Sequence, residues 1–259
     1  MCTLIAKKFA DIGWVGVKNR DRRAPTITRL VRENKGSMEK VTLMDETTHW
    51  SEGMNSHSIG VISSSLERTV TESELEKLSK NGQKISQALN GKTVEDVVES
   101  LIKSKVNGCV FVFDKDNLYV LEGNPKTKEI MSRKIVRNFA VRTNHGIFLP
   151  DAGYQSDSNS TEERMRRISS EARYMIGNTI VDLVDKPEDI MVYMAREYSD
   201  NPQLTTLRRP LGIIKSRTTE QLIIEPGKNR MLVRNTDGVL KFNQKNANKP
   251  DSQILVGVV

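Results

Sequence analysis

Cys2 is the residue best placed to do chemistry, because it follows Met1 directly. Its side chain is small enough for ordinary removal of an initiator methionine. The chain would then begin with a thiol and an α-amine on one residue. A thiol attacks as its thiolate, and a neighbouring amine can take the proton. An α-amine titrates near ~8, low enough to act as a base at neutral pH. A cysteine at position 2 is also a common accident, so its meaning depends on what accompanies it. Gly16-Val17-Lys18-Asn19-Arg20-Asp21 is the first companion. Paired as a hairpin with the Cys2 strand, it returns Lys18 to Asp21 beside residue 2. Asp21 can then accept a hydrogen bond from the Cys2 amine, and Lys18 can favour the thiolate.

Two further segments, Glu52 to Gly60 and Val141 to Gly146, each place an asparagine where a strand gives way to a loop: Asn55 and Asn144. An Asn side chain offers an NH2 that can stabilise a tetrahedral oxyanion, although Asn is also a common turn residue. A last segment, Ser158 to Arg167, carries Arg164 near the start of a helix, against the helix dipole. His145 invites a cysteine–histidine reading, but the α-amine already supplies a base, which leaves His145 a structural or substrate-facing role. The three His and two Cys show no metal-ligand spacing. No glycine-rich phosphate loop or dinucleotide fingerprint is present, and no cofactor is expected.

Short β-branched runs at Thr3–Lys7, Trp14–Lys18, Thr26–Arg32, Lys40–Met44 and Ile59–Ser63 read as strands, with the first turn near Asp11-Ile12-Gly13. Two helices follow. Thr71–Leu89 has Thr71 and Glu74 as a capping box, and a second helix capped at Thr93 ends near Lys103. Strands return at Gly108–Phe113, Asn117–Glu122, Glu129–Lys134 and Asn138–Arg142. A helix over about Thr161–Ile176 and another after Pro187 come next. From about Ile213 the tail reads as strands with turns at Pro226-Gly227 and Asp237-Gly238. This segregated order argues for a layered α+β fold in one domain. Cys109 lies in an apolar strand and reads as a small core residue.

These five segments together resemble the choloylglycine hydrolase and penicillin acyltransferase group of N-terminal-nucleophile (Ntn) hydrolases. The likeness runs from Met1-Cys2-Thr3 through Gly53-Met54-Asn55 and Thr143-Asn144-His145 to the Ser160 to Arg167 helix start. The final ninety or so residues add no motif to it. The resemblance implies a four-layer αββα sandwich with the nucleophile on an inner strand. Cys2 would be the nucleophile and Asp21 the carboxylate that orients its amine. Asn144 would be the side-chain oxyanion donor, with Asn55 completing the hole through backbone or side chain. Arg164 would brace the site, with Lys18, Asn19, His145 and Arg167 supporting it. Lys18 stands where bile-salt hydrolases carry Arg, keeping the charge and losing the planar fork. The implied chemistry is cleavage of a small-molecule, non-peptide or linear C–N amide through a Cys2 acyl-enzyme. An acyltransferase sharing that intermediate is equally compatible.

Composition bounds the alternatives. The 259 residues are 37% hydrophobic and 28% charged, a globular balance. No apolar run approaches the ~20 residues of a membrane helix, and the amino terminus lacks a signal-peptide core; a cytosolic protein with reduced thiols is expected. The net charge of +7 is spread along the chain, and with only 5% aromatics no base-stacking platform forms. Nucleic acid is therefore a weaker candidate partner than a small amide. A basic nucleic-acid-binding module, a non-catalytic relative of the same fold and a glutamine-hydrolysing relative are the rival readings. Self-association is open.

Overall fold

A computed structural model of the protein describes residues 2–22, 27–66, 80, 82–209, 217–236, 239–244 and 255–258. The capping box at Thr71, the strand start at Thr26 and the Asp237-Gly238 turn lie outside the described residues. Two sheets carry the fold. The first has six strands in the order β10-β1-β2-β11-β12-β14, and the second has eight in the order β13-β3-β4-β5-β6-β7-β8-β9. In the first sheet, β1 (Cys2–Phe9) and β2 (Gly13–Arg22) form the expected hairpin, closed by Gly13 at φ +77°. β10 (Phe139–Arg142) flanks β1, and β11 (Arg217–Glu225) flanks β2, both antiparallel. β12 (Arg230–Asn235) follows on β11, and β14 (Leu255–Val258) adds to it in parallel. The second sheet is built from β3 (Ile27–Lys35), β4 (Met38–Asp45), β5 (Ser51–Asn55), β6 (Gly60–Ser64), β7 (Gly108–Phe113), β8 (Leu118–Gly123) and β9 (Ile130–Lys134). β13 (Val239–Gln244) completes its edge, parallel to β3.

Alternating side chains sort the layers. Leu4, Ala6, Trp14, Leu222 and Ile224 of the first sheet pack on Val41, Leu43, Met54, Ile62, Phe111 and Phe113 of the second. The opposite face of the first sheet, with Ile5, Val15, Val17, Val141 and Ile223, takes helices α2 (Thr161–Leu183) and α3 (Pro187–Met194) through Ile180, Val181, Ile190 and Met194. The outer face of the second sheet takes α1 (Val94–Lys103) and a helical segment over 82–88, through Ile85, Leu89, Val94, Val97 and Leu101. The result is an α+β, four-layer αββα sandwich. Each fully buried aliphatic side chain contributes about 1.5–3 kcal/mol, so the three apolar interfaces supply the main drive to fold.

Local chemistry sets the ends of the helices. Thr93 caps α1 in a reciprocal box with Asp96. Ser160 caps α2, where its side chain accepts from the backbone of Glu163. α2 runs past Ile176 to Leu183 because Gly177 is used for close approach rather than as a helix stop. A Cβ there would lie 2.6 Å from Val141 Cγ1. The last turn of α2 has no basic residue of its own. Lys7 of β1 supplies the charge, donating to the carbonyls of Val181 (2.6 Å) and Val184 (2.5 Å) and fixing the helix against the strand.

Candidate active site

β2 continues as a strand to Arg22, so the charges from Lys18 onward sit within the sheet instead of in a turn. Strand alternation then divides them between two faces. Lys18, Arg20 and Arg22 point between the sheets. There Lys18 Nζ pairs with Glu52 Oε1, Arg20 donates to the Trp50 carbonyl (2.9 Å), and Arg22 Nε lies 3.0 Å from Asp45 Oδ2. Asn19 and Asp21 point to the helix layer. Asn19 Nδ2 donates to the carbonyls of Met194 (3.1 Å) and Thr206 (2.7 Å), and its Oδ1 accepts from Gln221, which anchors the loop after α3 to the sheet.

Cys2 is the cross-strand partner of Arg20, and such partners share a face. The Cys2 thiol therefore belongs to the Lys18–Arg20–Arg22 side. Burial alone would push it up. The Lys18 ammonium, the chain's terminal ammonium and the Arg22 guanidinium together outweigh burial and the opposing Asp21 carboxylate, and the thiol lies below its ordinary value. Burial also holds the Lys18 ammonium below lysine's usual range, against the pull of Glu52 and Cys2. Cys109 contrasts with this. It is wholly buried on β7, and burial, helped by nearby Glu122, raises its thiol well above the usual value. Only one of the two cysteines sits where a thiolate is favoured, and both are free thiols.

The Cys2 nitrogen donates to Asn144 Oδ1 at 2.6 Å. Asn144 is itself fixed on several sides. Its Nδ2 donates to the Ser65 carbonyl (2.7 Å), and its backbone N–H donates to Ser170 Oγ (2.9 Å). The carbonyl of the preceding Thr143 accepts from Ser64 Oγ (2.7 Å). His145 Nδ1 sits 2.9 Å from Ser170 Oγ and 3.1 Å from Thr143 Oγ1, and its ring meets Tyr174 edge-on. Burial, with the nearby Arg167, pushes His145 down to about 4, so it is neutral at pH 7 and serves as a brace for Asn144. The loop beyond is organised by Glu122. One of its oxygens accepts from the N–H groups of Ile147, Phe148 and Leu149 (2.9, 2.7 and 3.1 Å), and the other accepts from Arg142 Nε (2.9 Å).

Asp21 lies on the helix side of the Cys2 backbone. Its Oδ1 accepts from Thr218 Oγ1 (2.7 Å), and its Oδ2 is 3.6 Å from Arg173 Nη1 and 3.7 Å from Arg208 Nη1. Arg173, in the middle of α2, is fully buried and donates to the Cys2 carbonyl (3.0 Å), Thr3 Oγ1 (3.3 Å) and the Ser169 carbonyl (3.0 Å). It is the arginine that grips the Cys2 residue. The sequence does carry a signal for it. Ser169, Ser170 and Gly177 surround Arg173 on one helical face, and small residues there let the helix settle close enough for a guanidinium to reach the strand.

Two expected site residues are engaged elsewhere. Asn55 holds the turn between β5 and β6. Both its amide hydrogens go to carbonyls, of Leu89 and Gly91 (2.9 Å each), its Oδ1 accepts from His57 and Ile59, and its backbone N–H goes to the Ile59 carbonyl. No N–H of Asn55 is left to stabilise an oxyanion. Arg164 is exposed at the start of α2, where it donates to the Ser158 carbonyl (2.7 Å) and Thr161 Oγ1 (3.2 Å). Its helix-start position is met by those local acceptors, away from Cys2. Arg167 pairs with Glu171 and donates to the Tyr154 carbonyl (3.0 Å), bracing the loop that follows Asn144. Sequence reasoning missed Arg173, Arg208, Glu52 and Thr218.

Among the described residues no helix is long and apolar enough to cross a membrane, and no cluster of His, Cys, Asp and Glu is placed to hold a metal ion. No family model and no curated protein matches the chain. Solved structures do. Penicillin V acylase from Agrobacterium tumefaciens superposes with a TM-score of 0.53 at 12% identity, covering 99% of this chain and 95% of that one. A mutant of conjugated bile acid hydrolase from Clostridium perfringens aligns with a TM-score of 0.43 at 16% identity, covering 95% and 100%. The chain thus has the αββα sandwich fold of penicillin V acylase, an Ntn hydrolase of the choloylglycine hydrolase group.

Proposed function

We propose that this protein is a cysteine amidase of the Ntn type, acting on a small-molecule amide once Met1 has been removed. The observation that carries the reading is the setting of Cys2. Its nitrogen is held at 2.6 Å by Asn144 while its thiol is drawn below the usual value beside Lys18. In the proposed reaction the Cys2 α-amine takes the thiol proton, directly or through water, and the sulfur attacks the amide carbonyl carbon. The oxyanion is met by the second hydrogen of Asn144 Nδ2, the first being committed to Ser65. A donor of that kind is typically worth ~3 kcal/mol of barrier. The tetrahedral intermediate collapses as the C–N bond breaks, and the protonated amine passes its proton to the leaving nitrogen. The thioester left on Cys2 is released by water in a hydrolase or by a second amine in an acyltransferase. Arg173 positions the Cys2 backbone through its carbonyl, with Asp21 beside that guanidinium, and neither is assigned a contact with the reacting carbonyl.

The test is single turnover with a panel of N-acyl aminocoumarins, followed by intact-mass analysis. An acyl adduct confined to Cys2, discharged by hydroxylamine and absent from Cys2→Ala, is the expected result. Fluorophore release that survives Cys2→Ala would overturn the assignment. Discharge by water or by added amines then separates hydrolase from acyltransferase.

A further inference from the structure

At the margin of the first sheet, on its helix-facing side, a cleft of about 490 Å³ is lined by Arg208, Arg209, Arg217, Thr218 and Arg234 among others. Four of those side chains are arginines. Arg209 and Arg234 are exposed; Arg208 is only 2% exposed. Arg208 Nη2 donates to Gln203 Oε1, and Nη1 stands 3.7 Å from Asp21 Oδ2, beyond hydrogen-bond reach. Its Nε and Nη1 are buried without a hydrogen-bond partner. A guanidinium that surrenders its water and leaves two donor atoms unused is costly, unless an acceptor arrives to meet them. Arg209 has Glu197 at 2.9 Å in an exposed pair, whereas Asp21 is divided between Arg173, Arg208 and Thr218. Burial, with repulsion from Arg173, pushes Arg208 down to about 9 against the pull of Asp21.

We propose that this cleft binds the phosphate group of a small organic phosphate. One carboxylate is satisfied by a single arginine fork, whereas a phosphate carries more charge and presents oxygens in several directions, which suits guanidinium groups converging from a loop and two strands. The volume falls in the range of small-molecule pockets and exceeds what a bare ion needs. A polynucleotide would need a basic track that continues past the cleft, whereas the two unused donor atoms belong to one buried side chain, Arg208. The thiol of Cys2 faces the other side of the sheet, so this site is distinct from the proposed nucleophile and is linked to it through Asp21 and Arg173.

Calorimetric titration of the full chain with inorganic pyrophosphate at 150 mM KCl tests the proposal. Saturable binding of one pyrophosphate per chain is expected, weakened about tenfold by Arg234→Gln and again by adding Arg209→Gln, both exposed positions that leave the fold intact. Cys2→Ala should bind as the wild type does, so failure of the amidase reading leaves this result standing. Absence of saturable heat, or binding indifferent to the double variant, overturns the site. Citrate binding as tightly as pyrophosphate overturns the phosphate assignment. Tighter binding of a single-stranded oligonucleotide would also overturn it.

Discussion

Replacing Arg173 by methionine separates the site described here from the one centred on Arg164. Methionine keeps a flexible stem of similar reach and removes the guanidinium. The loss has two parts. The buried Cys2 carbonyl loses its charged donor at 3.0 Å, and Asp21 loses the guanidinium at 3.6 Å. Removing one partner of a buried ion pair costs about 3–5 kcal/mol, and a newly unsatisfied buried acceptor accounts for about 1–3 kcal/mol of such a penalty. Arg208 and Thr218 still hold Asp21, which keeps the sum at the lower end, about 3–4 kcal/mol. Arg164→Met removes only exposed contacts and should stay within about 0.5 kcal/mol of the wild type. Urea unfolding of the two variants reads the difference directly, and Arg173→Lys should fall between them because a lysine reaches one acceptor at a time. The alkylation rate of Cys2 in folded protein should drop in Arg173→Met and hold in Arg164→Met. Equal stabilities together with equal alkylation rates in the two variants would refute the assignment of Arg173.

Three further outcomes are expected. His145 titrates at about 4 in the folded chain and near ~6.5 unfolded, so between those values the unfolded state holds the extra proton and stability falls as pH falls. Between pH 7 and pH 4.5 the wild type should lose about 2.5 kcal/mol more than His145→Gln, and identical losses would remove His145 as the cause. Asn55→Ala should cost about 2–3 kcal/mol in urea unfolding through the β5–β6 turn while leaving the alkylation rate of folded Cys2 unchanged; a slowed rate would return Asn55 to the reacting centre. Gly177→Val should destabilise by about 2–3 kcal/mol, because its Cβ would fall 2.6 Å from Val141 Cγ1, and a neutral effect would mean that α2 does not sit so close to β10.

The sequence made some elements plain and concealed others for physical reasons. The β1–β2 hairpin, the capped helix at Thr93 and the strand around Cys109 follow local rules of turn, cap and alternation, and they were readable. β5 was legible only as a strand ending at Asn55, without a start, because Ser51-Glu52-Gly53-Met54-Asn55 has a single large apolar residue. Its burial rests on Glu52 pairing with Lys18 and Asn55 closing a turn, which no local pattern announces. α2 outruns the expected end near Ile176 and continues to Leu183, with Gly177 serving a close approach between layers. Arg164 drew attention through its conflict with the helix dipole, yet a solvent-facing arginine resolves that conflict with nearby carbonyl and hydroxyl groups. Arg173, without any local conflict, is the one that reaches Cys2. The tail carried no motif, but β11 lies against β2 and brings Thr218 to Asp21, a partnership across nearly two hundred residues that only the topology reveals.

The central claim is that Cys2, and not Cys109, is the reactive thiol, at the head of a chain from which Met1 has gone. Intact-mass spectrometry of the purified protein before and after brief native treatment with iodoacetamide measures both parts at once. The expected spectrum lacks Met1 and gains one adduct, mapped to Cys2 and missing from Cys2→Ser. A chain that retains Met1, or one that is modified at Cys109 while Cys2 stays untouched, would contradict it.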